Sequence, residues 1–140
     1  MFELLLRFPF LFFALPPDNQ EITTLGEDAK VRKIPENLLV VLRVLEGPEP
    51  GKGYQITEAP LTIGRDNICS ITINDPRMSR QHGVIYYYHP DFFIKDLGST
   101  NGTFVNERMV KQTRLKNGDQ IRMGGTLFEI IITKLSEDQK

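Results

Sequence analysis

The sequence predicts an all-β sandwich, and two patterns lead to this prediction. From Asn37 onward, short runs rich in β-branched and aromatic residues follow one another, and no stretch between them has the apolar spacing of an amphipathic helix. Clusters of glycine, proline, asparagine and aspartate separate the runs, as they do at tight turns between strands. Many short strands at such close spacing are typical of a two-sheet sandwich and argue against an α/β fold.

The predicted strands begin at residue 38 and end at residue 133. The first, Leu38–Leu45, is apolar enough to be buried on one or both faces. The others are Gly53–Ile56, Leu61–Gly64, Ile71–Ile73, Gly83–Tyr88, Phe92–Asp96, Thr103–Val105, Gln120–Met123 and Thr126–Thr133.

The chain divides into a tail, one domain and a short C-terminal extension. Its 140 residues leave room for a single domain with its own core in addition to a tail. We place a flexible N-terminal tail at residues 1–35, made of a hydrophobic segment (1–17) and a polar linker (18–35). The domain is expected at 36–135, and residues 136–140 form a C-terminal tail.

The hydrophobic segment 1–17 has a composition unlike the rest of the chain. Glu3 and Arg7 interrupt it and Pro9 breaks any helix, so its longest apolar part, Phe8–Leu15, is far shorter than the ~20 residues that span a bilayer. Three interpretations stay open. The segment is a loosely docked or unstructured tail (or a mis-assigned start), an anchor for a membrane surface or a partner, or a secretory signal. A membrane partner is not expected.

Charge and composition argue against several classes of function. The net charge of −1 disfavours a nucleic-acid partner, which requires a broad basic surface. Cys69 is the only cysteine, so the chain has no internal disulfide or thiolate metal site, and a reducing, cytoplasmic setting fits. With His82 and His89 as the only histidines, no nucleophile–base pair or metal-ligand set emerges. We therefore expect no catalytic residues, no metal and no cofactor.

Two polar clusters and a nearby arginine have the chemistry of an anion site. A phosphothreonine carries roughly −1.5 to −2 charges and three acceptor oxygens. An arginine fork binds such a group through paired charge-assisted hydrogen bonds, and short hydroxyls on rigid turns add direction. Arg65, Ser79, Arg80 and Thr100 supply this set, and each lies at a predicted strand end or turn.

The order of these clusters resembles the signature of the forkhead-associated (FHA) domain. The matching pieces are Gly64-Arg65, then Ser79-Arg80-Gln81-His82, then Gly98-Ser99-Thr100-Asn101-Gly102-Thr103. The resemblance covers Asn37 to Thr133. It implies an eleven-stranded antiparallel β-sandwich of FHA type that binds phosphothreonine peptides through loops at one end.

The resemblance also implies roles for individual residues. Arg65 would bond the phosphate, Ser79 would donate its hydroxyl to it, and Thr100 would lie beside it. Asn101 would hold the peptide backbone next to the phosphothreonine. Arg80 follows the motif serine and would add a second cation to the phosphate site.

Further motif positions are assigned to specificity and structure. Arg77 matches a place that often reads the third residue after the phosphothreonine, where an arginine favours an acidic residue. A solvated surface position remains the alternative for Arg77, as it does for Arg80. Gly64, His82 and Gly102 resemble the structural members of the motif.

The leading functional hypothesis is a phosphothreonine-peptide binding module, a signalling adaptor in a Ser/Thr kinase pathway. Its expected partners are a phosphothreonine-containing protein or peptide and a Ser/Thr kinase, and a monomer is expected. The alternative is an intramolecular switch in which phosphorylated Thr23 or Thr24 of the tail occupies the chain's own site. Glu27 lies three residues after Thr24, which is the spacing that Arg77 would read.

Overall fold

A computed structural model describes residues 30–136, and every regular element in that range is a β-strand. The hydrophobic segment 1–17, most of the linker and the last four residues lie outside the described range. The strands, in chain order, are β1 (Arg32–Lys33), β2 (Leu38–Glu46), β3 (Gly53–Gln55), β4 (Glu58–Ala59), β5 (Leu61–Gly64), β6 (Ile71–Thr72), β7 (Gly83–Tyr88), β8 (Asp91–Asp96), β9 (Thr103–Val105), β10 (Arg108–Val110), β11 (Gln112–Leu115), β12 (Gln120–Met123) and β13 (Thr126–Lys134).

Two larger sheets form the sandwich that the sequence predicts. The six-stranded sheet has the order β10-β9-β12-β13-β2-β3, and the five-stranded sheet has the order β11-β8-β7-β5-β6. These sheets together hold the expected eleven strands, but the small β1–β4 pair is additional, so the predicted count is not exact. The all-β sandwich is confirmed.

The expectation of purely antiparallel pairing is wrong at one place. β6 runs parallel to β5, with Ile63 opposite Ile71. The loop between them carries the chain back past Thr62, where the Ser70 N–H donates to Thr62 Oγ1 at 2.9 Å and the Thr62 N–H donates to Ser70 Oγ at 3.0 Å. Because the chain is returned to the start of β5 before β6 begins, the two strands point the same way.

The core lies between the two sheets and is built from alternate residues of the long strands. Val40 and Leu42 on β2 and Phe128 on β13 are fully buried on one side, and Ile85 and Ile94 are fully buried on the other. This alternation follows from the period-2 geometry of a strand, which sends successive side chains to opposite faces. The core holds the strand ends at fixed separations and so positions the loops between them.

Folded structure begins earlier than the expected domain boundary at residue 36. β1 pairs with β4, and Ile34 is 8% exposed and belongs to the core. The sequence predicts a linker here because one isoleucine within a charged run gives no periodicity. β1 contributes through backbone pairing, which leaves little trace in side-chain pattern.

Three further short strands, β4, β10 and β11, were not predicted. β10 and β11 each lie at one edge of a sheet, and both mix polar and charged residues with apolar ones without regular alternation. Edge strands tolerate such composition because one side of the strand faces water. Their residues therefore resemble loop residues in the sequence.

Candidate functional site

Three loops meet at one end of the sandwich and carry the side chains predicted to bind an anion. They are the β5–β6 loop (65–70), the β6–β7 loop (73–82) and the β8–β9 loop (97–102). The Arg65 N–H donates to the Ser79 carbonyl at 3.0 Å, and the Thr100 N–H donates to Ser79 Oγ at 3.0 Å. Ser79 therefore joins the two outer loops, and Arg65, Ser79 and Thr100 lie together.

Arg65 is exposed, but its side chain is held in place. Its Nε donates to the Met78 carbonyl at 3.0 Å. The two Nη groups, which an anion would contact, take part in no hydrogen bond among the described residues. A guanidinium anchored through Nε loses less conformational freedom when its outer fork binds a ligand.

Gly64 and Arg80 are in backbone contact, and this contact requires glycine. A Cβ on Gly64 would lie 2.1 Å from the Arg80 carbonyl oxygen, which no side chain could occupy. The same oxygen accepts hydrogen bonds from the Asp66 N–H at 3.1 Å and from Cys69 Sγ at 3.2 Å. Burial, with the charge of Asp66, raises the pKa of the Cys69 thiol, so the thiol remains a donor. The Arg80 side chain is exposed.

His82 ties the β6–β7 loop to the β8–β9 loop from inside the protein. It is fully buried, its Nδ1 accepts from the Ser79 N–H at 3.1 Å, and its Nε2 lies 2.9 Å from the Gly102 carbonyl. Because a backbone N–H can only donate, Nδ1 must accept, and the ring proton is assigned to Nε2. Gly102 has a φ of +88°, a conformation that favours glycine. Both residues hold the loops in register.

Asp96 organises the β8–β9 loop that carries Thr100. Its carboxylate accepts from the Gly98 and Ser99 N–H groups at 3.0 Å, from Ser99 Oγ at 2.5 Å and from Thr103 Oγ1 at 2.7 Å. Burial alone would raise the pKa of Asp96, but the bonds from Ser99 and Thr103 outweigh it and lower the pKa below its usual value. The sequence predicts no site role for Asp96. The pattern that could have indicated one is an aspartate followed three residues later by a serine.

Asp75 anchors the β6–β7 loop to the β12–β13 turn. It is only 4% exposed, and its carboxylate accepts from the Thr126 hydroxyl at 2.7 Å, the Gly125 N–H at 2.8 Å and the Arg77 N–H at 2.9 Å. Burial acts to raise the pKa of Asp75, but these bonds, with Thr126 the strongest, lower it overall. A buried carboxylate with all its bonds satisfied fixes the loop rigidly.

Arg77 and Asn101 lie next to each other at the rim of the three loops. Asn101 Nδ2 donates to the Arg77 carbonyl at 2.8 Å, and both side chains are exposed. The Arg77 guanidinium lies so close over Gly125 that a Cβ there would be 2.2 Å from Nη2. The bond between the two residues is a further link between the β6–β7 and β8–β9 loops, besides those of Ser79 and His82.

The polar side chains of the three loops are mainly hydrogen-bond donors and cations. Within residues 30–136, no cluster of three histidine, cysteine, aspartate or glutamate side chains is placed to hold a metal ion. No helix in the described part of the chain is long and apolar enough to cross a membrane.

Comparison with known proteins identifies the family. The family model described as "FHA domain" matches residues 61–124, which include all three loops. A solved structure from a study described as "Structural and functional analysis of phosphothreonine-dependent FHA domain interactions" is 32% identical, and this chain covers 99% of it, with a TM-score of 0.64 over 69% of this chain. The chain belongs to the FHA domain family.

Curated relatives of this FHA domain include regulators from actinobacteria. The Glycogen accumulation regulator GarA of Mycobacterium tuberculosis is 36% identical over 87 residues, which are 62% of this chain and 52% of the relative. An Oxoglutarate dehydrogenase inhibitor of Corynebacterium jeikeium is 34% identical over 98 residues, 69% of this chain and 66% of the relative. The chain spans about half to two thirds of the length of these proteins.

Proposed function

We propose that this FHA domain binds phosphothreonine-containing peptides and acts as an adaptor in Ser/Thr kinase signalling. The observation that carries the proposal is the joining of Arg65, Ser79 and Thr100 through Ser79 at one end of the sandwich. These residues come from three separate loops, and the buried Asp75 and His82, together with the half-buried Asp96, hold those loops in place. A site preorganised in this way binds a charged group with little ordering cost.

The phosphate would be bound by side chains whose remaining hydrogen-bond donors are not used in contacts within the loops. Ser79 Oγ uses an acceptor position to receive the Thr100 N–H, so its own hydrogen remains for a phosphate oxygen. Arg65 is held by Nε and presents its Nη groups. Arg80 follows Ser79 directly, and its exposed side chain would add a second cation. Bonds of this charge-assisted kind are about twice as strong as neutral ones.

The peptide would be read by residues at the rim. Asn101 is placed beside the Arg77 backbone, where its carboxamide would bond the peptide backbone next to the phosphothreonine. The Arg77 guanidinium, lying over Gly125, would favour an acidic third residue after the phosphothreonine. A preference for phosphothreonine over phosphoserine would rest on one methyl group, worth only about 1–3 kcal/mol. We expect a dissociation constant of about micromolar size, since a short peptide buries less than a standard interface.

Binding, and not catalysis, is the activity we assign to this chain. Membership of the FHA family supports this, and so does a site built of arginines, hydroxyls and a carboxamide. Two relatives are named as a regulator and as an inhibitor, and a role in controlling other proteins in the cytoplasm would fit this chain as well. The expected partners are a phosphothreonine protein and a Ser/Thr kinase.

A phosphopeptide-library pull-down tests the proposal. Wild type, Arg65→Ala and a control, Arg108→Ala, are compared; Arg108 is an exposed arginine on β10, outside the three loops. Loss of hydrogen bonds to a charged group costs about 1.5–3 kcal/mol, so Arg65→Ala should reduce affinity about 10- to 150-fold. Arg108→Ala should retain full recovery. Equal recovery of phosphothreonine peptides by wild type and Arg65→Ala would refute the assignment.

A second candidate function is the intramolecular switch. Thr23 and Thr24 lie outside the described residues, but the exposed position of Arg77 at the rim favours an acidic ligand such as a phosphorylated tail bearing Glu27. Seven residues (25–31) separate Thr24 from β1, where the chain joins the folded domain, and as a flexible coil they would span about 15 Å. Stoichiometric phosphorylation of the tail should abolish binding of a free phosphothreonine peptide. Undiminished peptide binding, or no effect of Thr23→Ala with Thr24→Ala, would exclude the switch.

A further inference from the structure

The outer face of the five-stranded sheet carries a second apolar cluster. Val84, Tyr86 and Phe93 form it, and Tyr88 and Leu97 pack against it; we call these five residues the outer-face cluster. Their neighbours in sequence, such as Ile85 and Ile94, point into the core, so the cluster points away from it. Tyr86 lies directly opposite Phe93 in the β7–β8 register.

The outer-face cluster is buried although it lies outside the sandwich core. Tyr86 is 2% exposed, Val84 5% and Phe93 7%. The rings pack on one another, with centroids 6.4 Å apart for Tyr86 and Tyr88 and 6.3 Å apart for Tyr88 and Phe93. An antiparallel sheet with one solvated face normally alternates apolar and polar residues, whereas β7 is apolar at positions on both faces. This pattern is typical of a sheet that is covered on both sides.

The outer face of the six-stranded sheet differs from the outer-face cluster in burial and in charge, since its outward apolar residues, such as Val41 and Ile131, are only half-buried. Two ion pairs also lie there: Arg43 on β2 with Glu129 on the neighbouring β13 at 2.8 Å, and Arg122 on β12 with Glu46 at the end of β2 at 3.0 Å. Among the described residues, the outer-face cluster is met at its rim by the Arg32 guanidinium, 4.9 Å from the Tyr88 ring centroid. That contact reaches one end of the cluster and does not explain the burial of its centre.

We propose that the hydrophobic segment 1–17 docks on the outer-face cluster of its own chain. Five of the nine phenylalanines of the protein lie within its first 13 residues. Aromatic and aliphatic side chains of this kind pack well against tyrosine and phenylalanine rings, at offset or edge-to-face geometry. The segment has the same chemistry as the surface it would cover.

The chain enters the domain at the edge of the outer-face cluster. Arg32, on the first strand, stacks on Tyr88, so the tail leaves from this point. The intervening residues, 18–31, would reach about 20 Å even as a random coil. From Tyr88 to Leu97 the cluster extends along strands of six residues, also about 20 Å. The whole cluster is therefore within reach of the segment.

Docking would restrain residues 18–31 from both ends, by segment 1–17 on one side and by β1 on the other. Leu97 of the cluster is the first residue of the loop that carries Thr100. The presentation of Thr23 and Thr24 to a kinase would then depend on the docked state. The docking itself requires no phosphate and no ligand, so it stands apart from the proposed phosphopeptide binding.

Paramagnetic labelling of the full-length chain tests the docking. Cys69→Ser removes the native thiol and keeps a donor to the Arg80 carbonyl. Glu3→Cys then carries a nitroxide without removing any apolar residue of the segment. We expect NMR signals of Val84 and Phe93 to lose most of their intensity, while Ile131, on the outer face of the six-stranded sheet, keeps its signal. A matched control places the label at Ser136→Cys.

Four outcomes would overturn the proposal. Equal losses on both sheets would mean that the segment has no preferred surface. In a mixing experiment, isotope-labelled protein without a nitroxide is combined with unlabelled protein that carries one. Losses of NMR signal intensity in that mixture would mean that the segment docks on a second copy of the chain. Transfer of the chain to sedimenting phosphatidylcholine vesicles, with recovery of the Val84 signal, would assign the segment to a membrane. Phe8→Ser with Phe12→Ser should abolish the losses in a folded protein, and persistence of the losses would also contradict the docking.

Discussion

Single residues connect the three loops of the site. Ser79 accepts from Thr100 through its hydroxyl and bonds Arg65 through its carbonyl, and His82 bonds both Ser79 and Gly102 from below. The residues that contact the phosphate in our proposal are therefore also those that fix its geometry. Substitutions here should separate into effects on binding and effects on stability.

Ser79→Ala should weaken phosphopeptide binding more than it weakens the fold. The substitution removes the hydroxyl expected to donate to the phosphate and the acceptor for the Thr100 N–H. Loss of such a bond to a charged group predicts a 10- to 150-fold rise in dissociation constant, about 1.5–3 kcal/mol. Calorimetric titration measures it, with Ser79→Thr as the control that keeps the hydroxyl. An unchanged dissociation constant in Ser79→Ala would remove Ser79 from the site.

His82→Ala should destabilise the protein strongly. It would leave the Ser79 N–H and the Gly102 carbonyl without their buried partner, at a cost of about 1–3 kcal/mol for each group. Urea unfolding measures the loss. The exposed Arg108 on β10 supplies the control: Arg108→Ala should change the free energy of unfolding by no more than about 0.5 kcal/mol. Similar effects of the two substitutions would contradict the bridging role of His82.

At the scale of elements, two aspartates hold the loops to the strands. Asp75 binds the β6–β7 loop to the β12–β13 turn, and Asp96 closes the β8–β9 loop on itself. Glycine is needed where loop backbones touch, as at Gly64 against the Arg80 carbonyl. The loops are therefore as fixed as the strands that carry them.

The two aspartates predict a loss of stability in acid. Their pKa values lie below the ordinary 3.8 in the folded protein, so their stabilisation is complete above the unfolded value. It is lost as the pH falls from about 4 through the lower folded values, because protonation then favours the unfolded chain. Urea unfolding from pH 6 to pH 2.5 checks this. Asp75→Asn and Asp96→Asn should each reduce the pH dependence of the free energy of unfolding. If the variants depend on pH as the wild type does, other groups cause the loss of stability in acid.

Gly64→Ala should disrupt the β5–β6 loop. A Cβ at 2.1 Å from the Arg80 carbonyl oxygen forces the backbones of two site loops apart. Such overpacking typically costs about 1–3 kcal/mol, and here it should also displace Arg65 and reduce phosphopeptide affinity. Gly53→Ala is the matched control, since its nearest contact is Val41 Cγ1 at 3.3 Å. Denaturant unfolding and peptide titration of both variants distinguish a local clash from a general intolerance of alanine.

At the scale of the whole molecule, a nearly neutral protein concentrates cations at one end. The net charge is −1, while Arg65, Arg77 and Arg80 lie in the loops of a single site. Attraction for phosphate is therefore local and does not extend over the surface. At the same scale, the two outer sheet faces differ, one carrying ion pairs and the other an aromatic cluster.

Phosphopeptide binding should raise the melting temperature of the full-length chain. A ligand at 100 times its dissociation constant stabilises the folded state by about 2.7 kcal/mol. For a domain of this size, each kcal/mol shifts the melting temperature by about 4–8 °C, so a rise of ~10 °C or more is expected. The unphosphorylated peptide should give no shift. Equal shifts with both peptides would mean that the phosphate is not recognised.

Fold class and family could be predicted from the sequence because both depend on local or ordered signals. Strand periodicity and turn residues lie within a few positions of one another, and the FHA motif pieces keep their order; both predictions are confirmed. β1, β10 and β11 escaped prediction because edge and two-residue strands are stabilised by backbone pairing. The roles of the site residues stay predictions, although the structure places Arg65, Ser79 and Thr100 side by side.

The sequence by itself determined which residues carry donors and cations, and that they lie in turns between strands. Only the tertiary structure decided how those turns meet: Asp75 bonds to a turn 50 residues away, and the His82 ring bridges to a carbonyl 20 residues on. It also decided which residues of β7 and β8 face each other, and so that the outward side chains of the two strands form one apolar cluster. The physical reason is that hydrogen bonds and packing between distant segments leave no periodic trace in the chain.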